Sequence, residues 1–76
     1  MPHVIVKLAS GRSEQQKAKI ADEVTKAIMT TANVGEDAVS VSIEDYPETE
    51  WREKVYRLDI IGKPETLYKK PGYTID

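Results

Sequence analysis

Two segments of the chain carry apolar side chains at every second position, which is the pattern of a strand with one buried face. The apolar positions are Val4, Val6 and Leu8 in the first segment and Val39, Val41 and Ile43 in the second. The positions between them are mostly polar. We therefore predict two β-strands, over residues 2–9 and 38–45.

The segment between these strands has the period of an amphipathic helix. Its inward positions, spaced by three and four, are Ile20, Val24, Ala27, Ile28 and Thr31. Ser13 followed by Gln16 is typical of a capping box, and Asn33 or Gly35 can end the helix in a left-handed conformation. A helix over residues 13–32 between two strands predicts a βαβ unit with parallel strands and a right-handed crossover.

The last third of the chain is predicted to be mostly short helical turns. The apolar positions of the first turn, spaced by four and three, are Trp51, Val55 and Leu58. Gly62 ends this helix, and Pro64 occupies a first-turn position of a further helical turn. The Lys70–Tyr73 segment has Pro then Gly at its centre, which predicts a type II turn. Tyr73–Ile75 then completes a short terminal hairpin strand.

These elements predict an α/β (α+β) fold in a single domain over residues 1–76. A chain this short buries only about 60% of its unfolded surface, and it has no cysteine for a disulfide. Two parallel strands do not make a stable sheet alone, and the helix covers only the face opposite Ile5. We therefore predict that a second subunit completes the sheet, in a homodimer, although this argument leaves a hexamer open.

Composition excludes several classes of protein. The 11 basic and 13 acidic residues are well mixed, with a net charge of −2, which is not the pattern of a nucleic-acid binder. The chain has no apolar run of membrane-spanning length and no signal-peptide pattern, so we predict a cytoplasmic protein with no membrane partner. The chain has a single histidine and no cysteine, which argues against a metal site. It also lacks a Gly-rich phosphate loop after a strand, so nothing in the sequence points to a nucleotide cofactor.

Pro2 is a candidate catalytic residue because of its position. If Met1 is removed, which the small following residue permits, Pro2 carries a free secondary amine fixed to the head of a strand. Proline is otherwise tolerated only at the start or edge of a strand. The alternative interpretation is that Pro2 is an ordinary second residue without a chemical role.

Arg12 is a candidate substrate-binding residue. It follows Gly11 in the turn between the first strand and the helix, where its planar guanidinium can match a carboxylate and the helix N-terminus attracts anions. The alternative interpretation is an exposed loop arginine.

The run Gly11-Arg12-Ser13-x-x-Gln16-Lys17 after an N-terminal proline resembles the 4-oxalocrotonate tautomerase family. The resemblance covers roughly the first 45 residues. It implies that Pro2 is a general base that carries a proton between an enol oxygen and a carbon of the same molecule, without a cofactor. It also implies that Arg12 binds the substrate carboxylate.

The C-terminal half has Pro47-Glu48 ahead of Trp51 and then the run Leu67-Tyr68-Lys69-Lys70-Pro71-Gly72-Tyr73. In these features it resembles a subgroup of slightly longer bacterial tautomerases, which act on enol forms of aromatic 2-oxo acids such as phenylpyruvate and tend to be dimers. The resemblance places Trp51 near an aromatic wall of the substrate site, but a core tryptophan is an equal alternative. The founding family member has a second arginine where this chain has Ser40. A pocket with one cation suits an aromatic monocarboxylate better than a dicarboxylate.

Two other functions compete with tautomerisation. One is a related activity that adds water to an activated alkene or removes a halogen, although those relatives usually keep more arginines and an added acid. The other is a non-catalytic oligomeric scaffold that kept the fold. If Met1 stays in the mature chain, Pro2 is an amide and is not a base.

Overall fold

A computed structural model describes all 76 residues, Met1–Asp76. The chain forms two compact units, Met1–Asp45 and Tyr46–Asp76, and we describe each by itself. The elements in chain order are β1 (His3–Ala9), α1 (Glu14–Ala32), a 3₁₀ turn (Glu36–Ala38), β2 (Ser40–Tyr46), α2 (Glu48–Trp51), a π-helix (Arg52–Ile61) and a 3₁₀ turn (Pro64–Thr66). None of the helices is long and apolar enough to cross a membrane.

The first unit contains the predicted βαβ arrangement. β1 and β2 pair as two parallel strands, and α1 connects them. Their observed bounds differ from the predicted ones by one or two residues. The period-two and 3.6-residue patterns were sufficient here because each element turns one apolar side inward.

Both ends of α1 are set by the residues that the sequence indicated. Ser13 is the N-cap: its Oγ accepts from the Gln16 amide at 3.1 Å, and its own amide donates to Gln16 Oε1 at 2.9 Å. Asn33 ends the helix with φ 58° and ψ 55°, and its amide donates to the Met29 carbonyl. Asn33, rather than Gly35, therefore supplies the left-handed cap.

The face of the sheet opposite α1 is open. Val4 and Val6 are half-buried, whereas Ile5 between them is 52% exposed. No side chain between Met1 and Asp45 is fully buried. The βαβ unit thus has one packed face and one apolar side chain on its uncovered face.

In the second unit, the predicted apolar face of the helix was wrong at Leu58. Val55 and Tyr56 are its buried residues, at 4% and 6% exposure, but Leu58 is 58% exposed. The reason is that residues 52–61 form a π-helix, whose i→i+5 hydrogen bonds place more residues in each turn than an α-helix has. A step of three residues is then too short to return Leu58 to the apolar face, whereas Ile60 is half-buried.

Gly62 ends the π-helix as predicted, and the turn at Pro64–Thr66 forms. The predicted terminal hairpin was wrong. Residues 73–75 form no strand, and Gly72 lacks the positive φ that a type II turn requires. After Tyr46, the last residue of β2, all of the regular structure in this unit is helical, so it contains no strand with which residues 73–75 could form a hairpin.

Candidate active site

Pro2 lies immediately before β1 and is held by the backbone of the neighbouring strand. The Ser40 amide donates a hydrogen bond to the Pro2 carbonyl at 3.2 Å. Pro2 is half-buried, whereas Met1 is 100% exposed. Removal of Met1 would therefore disturb no packing and would leave the Pro2 nitrogen at the end of a fixed strand.

Ser40 makes a second contact at this end of the sheet. Its Oγ lies 2.6 Å from Nδ1 of His3, so the head of β2 holds two successive residues of the N-terminus. This contact was not predicted from the sequence. Aligning the first residues of two parallel strands in register would have indicated it.

Arg12 lies at the opposite, carboxyl end of β1. Gly11 precedes it with φ 127°, a left-handed conformation that favours glycine and turns the chain away from the strand. Arg12 Nη1 donates to the Ala9 carbonyl at 3.1 Å, and the side chain is exposed. This bond leaves most of the five guanidinium N–H donors for a ligand.

Lys17 neutralises the acidic groups at the same end of the sheet. Its ammonium lies 2.6 Å from Asp45 and 2.7 Å from Glu14, and the side chain is only 18% exposed. These hydrogen bonds, first to Asp45 and then to Glu14, raise the pKa of Lys17 above its ordinary value. Because Lys17 occupies both carboxylates, Arg12 remains available to bind an external anion.

Pro2 and Arg12 are not brought together within one chain. The Arg12 guanidinium is bonded at Ala9, and β1 spans seven residues. At a rise of about 3.3 Å per residue, the two ends of the strand are about 20 Å apart. A small molecule therefore contacts both residues only if they come from different chains.

Trp51 lies in the second unit, in a cluster of aromatic side chains. Its ring meets Tyr46 edge to face, with centroids 6.5 Å apart, and its Nε1 donates to the Tyr73 hydroxyl at 3.4 Å. The Tyr73 ring in turn lies 5.9 Å from that of Tyr56. Trp51 is half-buried, so it packs in this cluster while part of it remains accessible.

No group of three or more His, Cys, Asp or Glu side chains is placed to hold a metal ion. In the first unit, Pro2 lies at one end of the sheet and the Arg12 guanidinium at the other.

Comparison with known families identifies the class of protein. The sequence model of the tautomerase enzyme family matches residues 2–53. A probable tautomerase of Xylella fastidiosa (strain 9a5c) is 44% identical over 73 residues, which cover 96% of this chain and 89% of that protein. The tautomerase PptA of Cronobacter sakazakii (strain ATCC BAA-894) is 34% identical over 74 residues, covering 96% and 97%.

Solved structures give the same result for the fold. YwhB, a homologue of 4-oxalocrotonate tautomerase, superposes with a TM-score of 0.60 at 34% identity, covering 62% of this chain and 77% of that one. TomN, a homologue from the tomaymycin biosynthetic pathway, gives 0.64 at 34% identity, covering 66% and 77%. The chain belongs to the tautomerase family. It is an isomerase of the tautomerase class, and the predicted βαβ fold is confirmed.

Proposed function

We propose that the protein, after removal of Met1, is a cofactor-independent tautomerase that ketonises a 2-hydroxy-alkenoate or the enol of an aromatic 2-oxo acid such as phenylpyruvate. The observation that carries this proposal is Pro2 at the head of β1, with its carbonyl bonded to the Ser40 amide. A secondary amine anchored in this way has a defined direction and does not need to be ordered when substrate binds.

The proton transfer needs only this amine. The Pro2 nitrogen takes the proton from the enol hydroxyl, and the oxygen forms the carbonyl. The electron pair of the C=C bond then takes that proton back from the Pro2 ammonium at the adjacent carbon, which regenerates the free amine. An ordinary α-amine has a pKa of about 7.7–8.0, which burial and nearby cations lower toward neutrality. A base near neutral pKa transfers protons efficiently in both directions.

Arg12 is proposed to bind the substrate carboxylate. Its exposed guanidinium and the neutralised acids around Lys17 support this role. At the other end of the sheet the hydroxyl of Ser40 is uncharged and in contact with His3, so it adds no second cation. One guanidinium matches a substrate with one carboxylate. Trp51 or a neighbouring apolar side chain is proposed to pack against the aromatic ring of that substrate.

The separation of Pro2 and Arg12 supports a site shared between two copies of the chain. We propose a homodimer in which Pro2 of one protomer faces Arg12 of the partner subunit. The open face of the sheet at Ile5, which is 52% exposed, is the surface available for such an interface. A symmetric dimer of this kind contains two equivalent sites.

The N-terminus provides the first test. Loss of enol-phenylpyruvate absorbance is followed with processed protein and with protein in which Met1 is retained or Pro2 is acetylated. Blocking the nitrogen should lower turnover by about 10²–10⁴-fold, the usual contribution of a general base, with unchanged circular dichroism. Equal rates for the blocked and processed proteins would remove Pro2 as the base and favour the scaffold alternative.

Subunit mixing tests the shared site. Met-retained protein and Arg12→Ala protein are each expected to be weakly active. In a mixed dimer, one site combines the intact Pro2 with the intact Arg12, so random mixing should restore about a quarter of wild-type activity. Mixtures with no more activity than the sum of their components would show that each chain carries its own site.

The interface itself is tested by sedimentation. We expect a dimer at micromolar concentration, and we expect Ile5→Lys to weaken it because a charge on the open sheet face opposes burial. Gln15→Lys, at an exposed position of α1, adds the same charge away from the open sheet face and serves as the control. A folded, fully active wild-type monomer would contradict the proposal.

A further inference from the structure

The second unit contains a cavity that the proposed reaction does not use. It has a volume of about 350 Å³, within the range of about 300–1,000 Å³ that is typical of small-molecule pockets. Apolar walls come from Ile60, Pro64, Leu67 and Pro71. All of its lining residues lie between residues 56 and 74, beyond the segment that the family model matches.

One cation lines this apolar cavity. Lys70 is exposed and has no ion-pair partner, whereas the nearby Lys63 is paired with Asp59 at 3.3 Å. An unpaired ammonium beside apolar walls attracts a single negative charge attached to an apolar body.

Tyr73 adds a hydroxyl to the same lining. This hydroxyl accepts a hydrogen bond from Trp51 Nε1, so its own proton is available for donation to a ligand. The ring of Tyr73 packs against the buried Tyr56, which fixes its position on one wall. Tyr73 and Ile61 remain 47% and 58% exposed, so the cavity reaches the surface.

We propose that this cavity is a separate binding site for a small monocarboxylate with an aromatic or branched aliphatic body. The apolar body lies between the Ile60 and Leu67 side of the cavity and the tyrosine wall, and the carboxylate contacts Lys70. No histidine or carboxylate lines the cavity, and the function we assign to it is binding. This binding function is separate from the proton transfer proposed at Pro2.

Trp51 provides the readout, because it is the only tryptophan in the chain and donates to a residue that lines the cavity. The probe is 3-phenylpropionate, which has no enol to react, and the matched uncharged probe is 3-phenylpropanol. We expect 3-phenylpropionate to change Trp51 fluorescence saturably. Lys70→Gln should raise its Kd about tenfold, as loss of one charged hydrogen bond predicts, and should leave the alcohol unaffected.

The neighbouring lysine supplies the matched control. Lys69→Gln removes an equal charge from a residue that does not line the cavity, so the Kd should stay unchanged. Leu67→Phe adds volume to the wall and should weaken both probes. Circular dichroism of each variant shows whether it is folded.

An Arg12→Ala arm separates this site from the proposed active site. The fluorescence response should persist in Arg12→Ala protein even if the tautomerase proposal fails. A response lost in Arg12→Ala but retained in Lys70→Gln would overturn the cavity proposal. Absence of a saturable response in the wild type would also overturn it. If Lys70→Gln or Leu67→Phe then alters the sedimentation coefficient, the cavity is assigned to a contact between copies.

Discussion

The two compact units differ in how much of their apolar surface each one buries. Met1–Asp45 has regular strands and a capped 19-residue helix, yet it contains no fully buried side chain. Tyr46–Asp76 is irregular and largely π- and 3₁₀-helical, yet it contains Val55 and Tyr56, the two most buried residues of the chain. Regular secondary structure and a buried core are therefore distributed separately along this sequence.

The two units also differ in the contacts that order each of them. In the first unit, backbone pairing holds Pro2 while the open sheet face remains available to another chain. In the second unit there is no strand pairing, and aromatic rings contact one another instead, one pair edge to face and one pair tilted. Changes in the first unit should affect activity and assembly most, and changes in the second should affect stability most.

The largest effect is expected from the core of the second unit. Tyr56→Ala should lower the free energy of unfolding by about 3–5 kcal/mol, because it leaves a cavity where an aromatic ring was packed. The control is Tyr68→Ala, since Tyr68 is 98% exposed and should change stability by no more than about 0.5 kcal/mol. Urea unfolding measures the free energy of unfolding of both variants. Equal losses of stability would show that Tyr56 does not form a core that distinguishes the second unit from the first.

Arg12 tests the first unit through activity. Arg12→Ala should lower kcat/KM, chiefly by raising KM, because a charged hydrogen bond to the carboxylate is lost. The loss of transition-state stabilisation should be about 1.5–3 kcal/mol. Arg57→Ala removes an exposed arginine paired with Glu53 at 3.1 Å and should leave the kinetics unchanged. A change confined to kcat would instead place Arg12 in the proton-transfer step.

Gly62 tests the close backbone contacts at the end of the π-helix. A Cβ at this position would lie 2.5 Å from the Arg57 carbonyl oxygen and 2.8 Å from that of Leu58. Gly62→Ala should therefore lower stability by about 1–3 kcal/mol through steric strain. At Gly35 nothing lies within 4 Å of such an atom, and Gly35→Ala should be neutral or stabilising, by up to about 1 kcal/mol. If thermal unfolding shows that Gly35→Ala is less stable than Gly62→Ala, the close approach at Gly62 is contradicted.

The smallest effect is expected from Lys17, and it depends on pH. Asp45 and Glu14 raise the pKa of Lys17 above 10.5, so the charged form is favoured in the folded state. This contribution is fully present below the unfolded pKa and is lost as pH rises through the higher folded pKa. Stability should therefore fall more steeply above pH 10.5 in the wild type than in Lys17→Gln.

The exposed Lys19, whose pair with Glu23 is 3.6 Å long, provides the control for that titration. Lys19→Gln should follow the wild-type profile in denaturation experiments across the same pH range. If Lys17→Gln also follows it, the contact between α1 and the end of β2 contributes nothing to stability.

The amino-acid sequence was sufficient to predict the βαβ unit and its family. Strand and helix periods, the Ser13 capping box and the Asn33 cap are local properties, because each depends on residues within one or two turns. Pro2, Arg12 and Trp51 were singled out for the same kind of reason, and their roles remain proposals.

Tertiary structure alone decided the rest. The π-helix left Leu58 exposed because its hydrogen-bond spacing differs from the α-helical period assumed from the sequence. The contact of Ser40 with His3 and the separation of Pro2 from Arg12 depend on which strand ends meet. The cavity at Lys70 depends on how the π-helix, the 3₁₀ turn at Pro64–Thr66 and the residues after it pack together. Local patterns predict elements, whereas the distances between residues far apart in the chain arise only when those elements pack.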